Sequence, residues 1–237
     1  MKLEQQYKGK YFSIFGDSIS TLSYCNPPDY AVFYEYEKQL LSGVFTKEDT
    51  WWGQVIEELG GKLLVNNSFS GSYVCKLPAV EIESYGCSDT RTSKLGLGPL
   101  KPDVIIVFMG TNDWGRGIPV FPNEYRSGLS VFAVAYEAML TKIKHNYPNA
   151  EIWCLTLPRS YRKQEPEWTF PTHFGGRDIA DYCNAIQECG KRLDCKVIDI
   201  HKVDNPFDTI DGFHPNADGM RTLSKIILSE LEKEINL

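Results

Sequence analysis

Four short stretches of the chain carry side chains suited to acyl transfer. Gly16-Asp17-Ser18 supplies a hydroxyl, and Ser70-Gly71 and Gly110-Thr111-Asn112-Asp113 supply neutral donors. Asp211-Gly212-Phe213-His214-Pro215 supplies an imidazole with a carboxylate three residues before it. A serine hydroxyl becomes an effective nucleophile when an adjacent base takes its proton. A carboxylate beside that base fixes its tautomer and stabilises its charged form. Glycine N–H groups and an asparagine amide can hold a developing oxyanion without adding charge. Taken singly, each stretch also reads as a turn, because Gly, Asp, Asn and Ser are common turn formers. His214 is one of four histidines; His145 and His201 read as surface positions, and His173 lies in an irregular segment.

The order of elements around these stretches gives a reason for them to meet. Five segments are rich in apolar and β-branched residues: 11–15, 62–66, 103–109, 151–157 and 196–200. The third is continuously apolar over residues 104–109, as expected for a parallel strand covered on both faces. Helical periodicity appears over residues 51–59, 124–147, 178–193 and 217–235. In the second of these, Tyr125, Leu129, Phe132, Tyr136, Met139, Leu140 and Ile143 fall on one face; in the last, Met220, Leu223, Ile226, Ile227 and Leu231 do. Strands alternating with helices predict a parallel sheet with helices on both sides and right-handed crossovers. Ligands of such sheets bind at the carboxyl ends of the strands, where Ser18, Ser70-Gly71 and Asn112 all follow a strand. No repeat or linker interrupts the pattern, so residues 1–237 read as one domain. Two stretches, about 22–50 and 159–177, break the rhythm with many aromatic residues, and long irregular insertions of this kind are often functional.

The 237 residues, 42% hydrophobic and 24% charged, have the balance of a globular protein. A net charge of -6 argues against nucleic acid or an anionic membrane as the main partner. No apolar run is long enough to span a bilayer, and the polar N-terminal residues carry no stretch of signal-peptide type. The expected location is therefore cytoplasmic. Seven cysteines include no Cys-x-x-Cys pair, so reduced structural thiols are expected rather than zinc or a redox motif.

In order and spacing, the four stretches resemble those of the SGNH hydrolase superfamily, also called the GDSL esterase/lipase family. Its name comes from a serine, a glycine, an asparagine and a histidine in separate blocks, which fall here on Ser18, Gly71, Asn112 and His214. The resemblance implies a flavodoxin-like SGNH hydrolase fold, an α/β three-layer α/β/α sandwich with a five-stranded parallel sheet. It implies that Ser18 attacks an ester carbonyl, that His214 is the base and that Asp211 completes a triad. The Ser18 N–H, the Gly71 N–H and the Asn112 side chain would form the oxyanion hole. No metal or organic cofactor is implied. Ile19 stands where the nickname has leucine, and Ser68 stands where many relatives have glycine, which bears on the donor geometry of Gly71.

The resulting expectation is a serine esterase that acts through an acyl-enzyme on a small-molecule or glycan ester. Asp17, Tyr24, Trp168 and His173 are candidate substrate contacts. The aromatic residues of the two insertions either stack on sugar rings, which favours deacetylation of a carbohydrate, or cap the core. An acyltransferase would use the same residues. A non-catalytic carbohydrate-binding protein is the remaining alternative, although binding alone needs no nucleophile–base pair. The chain shows no strongly apolar lid segment of the kind a triglyceride lipase would carry.

Overall fold

A computed structural model describes residues 2–78 and 84–235. Its strands are β1 (Tyr11–Gly16), β2 (Lys62–Asn66), β3 (Val104–Phe108), β4 (Glu151–Leu155), β5 (Ser160–Tyr161), β6 (His173–Phe174), β7 (Arg177–Asp178), β8 (Lys196–Ile198) and β9 (Phe207–Asp208). The helices are α1 (Lys2–Tyr7), α2 (Tyr36–Ser42), α3 (Trp51–Glu58), α4 (Asp89–Thr92), α5 (Thr111–Gly115), α6 (Phe132–Asn146), α7 (Ile179–Arg192) and α8 (Ala217–Ile235).

Five strands form one parallel sheet in the order β2-β1-β3-β4-β8. All of β3 is buried, as its unbroken apolar run requires. Helix α3 packs with α8, and α6 packs with α7. The chain steps outward from β1 to β2 in one direction and from β3 through β4 to β8 in the other. Right-handed crossovers therefore place α3 and the α6–α7 pair on opposite faces, which makes the three layers. The direction reverses between β1 and β3, and a crevice opens at the carboxyl ends of strands at such a switch point.

The strand at 62–66 and the helix at 217–235 match their sequence expectations. The helix expected over 124–147 begins only at Phe132. The Asn123 side chain accepts the N–H groups of Tyr125 and Arg126, and Gly128 takes φ +58, so this stretch folds as turns. Phe132, Tyr136, Met139, Leu140 and Ile143 are buried as their periodicity predicts, while Tyr125 is exposed. All seven cysteines are free thiols. Among the described residues, no helix is long and apolar enough to cross a membrane.

Candidate active site

The site is built where β1 and β3 end. Gly16 closes β1, and a Cβ there would meet Ser20 Oγ at 2.6 Å and Ser68 Oγ at 2.9 Å, so the turn admits only glycine. Asp17 then caps a single 3-10 turn, Ser18–Ser20, by accepting the Ile19 N–H at 3.1 Å. Ser18 is the first residue of that turn, where backbone N–H groups have no partner within the turn itself.

His214 reaches this turn from the loop that precedes α8. Its Nε2 lies 2.8 Å from Ser18 Oγ, and its Nδ1 lies 2.7 Å from Asp211 Oδ2. The other carboxylate oxygen of Asp211 accepts the N–H groups of Phe213 at 3.0 Å and His214 at 2.9 Å. Burial alone would raise the Asp211 pKa. The hydrogen bond and charge of His214, with the two backbone donors, outweigh it and lower the pKa to about 2. The carboxylate is thus ionised across the neutral range, and its Nδ1 contact directs the basic nitrogen of a neutral imidazole toward Ser18.

Asn112 sits in α5, just beyond β3, and its Nδ2 donates to the Ser72 carbonyl at 2.9 Å. One amide hydrogen is spent on that tether and a second remains. The adjacent Asp113 is buried and accepts the N–H groups of Val74 at 2.8 Å and Cys75 at 3.1 Å. Burial raises its carboxyl to about 6 against those bonds. Asn112 and Asp113 together fasten the loop after Ser70-Gly71 to the end of β3.

Arg91 performs a similar task from beneath the site. Its guanidinium is fully buried and donates to the carbonyl oxygens of Gly16 at 3.0 Å, Asn67 at 2.5 Å and Ser84 at 2.7 Å. It also packs 4.5 Å from the Phe15 ring centroid. Burial lowers its pKa to about 10, far enough above neutrality to keep the charge. One side chain thereby joins the loops that follow β1 and β2. It lies in a polar run with no sequence signal that marks it.

The two irregular insertions hold the loop that carries the base. Phe33 stacks on the His214 ring, and the hydroxyl of Tyr34 donates to the Pro215 carbonyl at 2.8 Å. From the second insertion, Ser160 Oγ donates to the Gly212 carbonyl at 2.5 Å. Trp168 covers Gly212, which has φ +98; a Cβ there would come within 2.7 Å of the indole. Phe33 and Tyr34 were visible in the sequence only as two of many aromatic residues.

Ser18, Asn112 and His214 line a cavity of about 290 Å³ with Ile19, Tyr73, Thr111, Gly115, Arg116, Phe174 and Phe213. Larger depressions lie elsewhere, one of about 710 Å³ between α1, α3 and α8, but that one has no nucleophile–base pair. Size therefore does not mark the site; the side-chain chemistry does.

The four candidate substrate contacts fall outside this cavity lining. Asp17 is buried, with its carboxyl raised to about 7 mainly by burial. Tyr24 is fully exposed on a loop at φ +68. Trp168 packs on the loop that carries His214. His173 lies in the β6–β7 hairpin, 3.5 Å from Asp178 and hydrogen-bonded to Thr172. Gly71 is exposed with φ +75, and a Cβ there would meet nothing within 4 Å. Backbone conformation rather than crowding requires glycine at that position. Ser68 is absorbed locally, its hydroxyl donating to Asn66 Oδ1 at 2.6 Å. Among the described residues, no group of three or more His, Cys, Asp or Glu side chains could hold a metal ion.

Residues 10–164 match the family described as GDSL-like lipase/acylhydrolase. A Bacteroides ovatus protein named as a GDSL-like lipase superposes with a TM-score of 0.71 at 28% identity, over 95% of this chain and 99% of that one. A second so named, from Bacteroides uniformis, gives 0.69 at 27% identity over 95% and 96%. A carbohydrate acetylesterase family member from Sinorhizobium meliloti shares the fold, with a TM-score of 0.59 at 18% identity over 96% and 100%. No curated protein matches the chain.

Proposed function

The chain belongs to the GDSL-like lipase/acylhydrolase family of ester hydrolases, and we propose that it cleaves short-chain carboxylic esters with Ser18 as nucleophile. The observation that carries this reading is the continuous relay from Ser18 Oγ through His214 to Asp211, at 2.8 and 2.7 Å. As Ser18 Oγ attacks the ester carbonyl, His214 Nε2 takes its proton. The Ser18 N–H, the Gly71 N–H and the free amide hydrogen of Asn112 receive the oxyanion. Collapse expels the alcohol, which leaves with the proton from His214, and an acyl-enzyme remains. His214 then deprotonates a water that attacks the acyl group, and Ser18 departs with the proton as the acid is released.

The cavity volume supports short acyl groups, since about 290 Å³ lies at the low end of small-molecule sites. Ile19, Phe174 and Phe213 give its lining apolar residues, and Tyr73 and Thr111 give it polar ones. A mixed wall of that kind suits an O-acetyl group on a carbohydrate better than a long acyl chain. Ser18→Ala should lower kcat/KM for p-nitrophenyl acetate by at least about 10³ and abolish labelling by a fluorophosphonate. Hydrolysis at the wild-type rate by that variant would refute the mechanism. A rate that rises from acetyl to dodecanoyl esters would refute the short-chain assignment, and failure to release acetate from acetylated sugars would refute the carbohydrate assignment.

A further inference from the structure

The cavity beside Ser18 holds one fixed charge that the acyl-transfer steps do not use. Arg116 lines it, and no Asp or Glu does. Arg162, Arg192 and Arg221 pair with Glu165, Glu137 and Asp218, whereas the exposed Arg116 side chain, like those of Arg126, Arg159 and Arg177, has no hydrogen bond or ion pair among the described residues, and of these four only Arg116 lines this cavity. Arg116 therefore puts a cationic side chain in the lining next to the nucleophile of a protein whose net charge is -6.

The backbone fixes the point from which that side chain extends. The Arg116 N–H donates to the Asn112 carbonyl at 3.0 Å, so the two residues stand one turn apart on the same side of α5. Gly115 between them leaves open space, since a Cβ there would meet nothing within 4 Å. The next residue, Gly117 at φ +63, packs against Gly175 so closely that a Cβ would lie 2.9 Å from its Cα. The main chain under Arg116 is thus pinned between α5 and the β6–β7 hairpin. Asn112 and Arg116 thus both face the cavity, separated along α5 by the bare backbone of Gly115.

We propose that Arg116 is an anion subsite, and that the protein prefers esters that carry a carboxylate in addition to the scissile carbonyl. The inference rests on the Ser18 esterase reading above. A guanidinium fork donates two parallel N–H bonds to a carboxylate, a geometry that an ammonium cannot reproduce. Tyr73 and Thr111 line the same cavity, and each carries a hydroxyl able to donate to an oxygen atom of the substrate. An O-acetylated uronic acid carries such a carboxylate on the alcohol side, and a hemiester of a dicarboxylic acid carries it on the acyl side.

Two matched pairs separate these sources: 4-acetoxybenzoate against 4-acetoxybenzamide, and p-nitrophenyl hydrogen adipate against p-nitrophenyl adipamate. The ratio of kcat/KM, anion over neutral, is measured for the wild type, Arg116→Gln and Arg116→Lys. In one pair the wild type should prefer the anion by roughly tenfold or more. That preference should shrink as salt rises from about 50 to 500 mM, fall toward parity in Arg116→Gln and survive in part in Arg116→Lys. Equal rates within both pairs, or a preference unchanged in Arg116→Gln, would overturn the anion subsite and leave the esterase reading standing. If none of the four esters is cleaved faster than by Ser18→Ala, the esterase reading falls and the subsite with it.

Discussion

The ring of Phe33 lies flat on the imidazole of His214, with centroids 3.5 Å apart and planes 9° from parallel. The stack covers one face of the base and leaves both ring nitrogens edge-on to Ser18 and Asp211. It resists rotation of the imidazole about its terminal torsion, which is otherwise broad. Aromatic pairs contribute about 0.5–1.5 kcal/mol beyond area burial, which corresponds to about two- to tenfold in rate if it is lost from the transition state. Phe33→Leu keeps bulk and loses the flat surface, so kcat should fall by about that factor with KM little changed. Phe33→Tyr should restore it. An unchanged kcat in the leucine variant would show that the stack does not position the base.

Asp211 is the partner of the opposite edge, and its replacement by asparagine tests the tautomer directly. In Asp211→Asn the new side chain could keep accepting the Phe213 and His214 N–H groups through its oxygen. Its NH2 would then face His214 Nδ1, forcing the ring proton onto Nε2, where it cannot accept from Ser18. The expected loss in kcat is about 10³–10⁴ with the fold retained. A loss below tenfold would mean that Asp211 does not set the protonation of His214.

Asn112 has two duties that one substitution can separate by kinetics. Asn112→Ala removes a candidate oxyanion donor and also the 2.9 Å tether to the Ser72 carbonyl. Loss of one donor typically costs about 10²–10³ in kcat, with KM for a short ester shifting far less because the charge develops only in the transition state. A variant that raises KM while keeping kcat would assign Asn112 to substrate binding instead.

The sequence made the sheet legible because each central strand is a dense apolar run and each long helix repeats an apolar face. The candidate site was legible at Ser18, Asn112, Asp211 and His214 for a related reason: each abuts an element that periodicity can place. What the sequence hid is long-range support. Arg91 sits in a polar stretch, yet its guanidinium reaches backbone atoms 24 and 75 positions away. Phe33 and Trp168 read equally well as sugar platforms or core caps, and only their contacts with His214 and Gly212 give them a role. The helix expected from 124 failed because local side-chain turns at Asn123 and the left-handed Gly128 outweigh a sequence pattern that continues through them.

Asp17 and Asp113 make the stability of the fold depend on pH in an unusual direction. Both are buried beside the site. Burial, helped by the nearby charge of Asp113, raises the Asp17 carboxyl to about 7, and burial raises that of Asp113 to about 6. The backbone donors and the charge of Arg91 oppose the shift at Asp17 without cancelling it. A carboxyl whose folded pKa exceeds its unfolded value holds its proton longer in the native state, so the native state binds more protons between about pH 4 and 7. Stability from this pair is therefore present at low pH and is lost as pH rises through that window. Asp211, with its pKa lowered to about 2, acts oppositely and only at lower pH, between about 4 and 2. In Asp17→Asn the amide oxygen can still accept the Ile19 N–H, while the ionisation that burial penalises is gone. Urea midpoints measured at pH 5 and pH 8 should differ less in this variant than in the wild type, chiefly through a gain at pH 8. An identical pH slope in the two proteins would show that Asp17 does not titrate in this window.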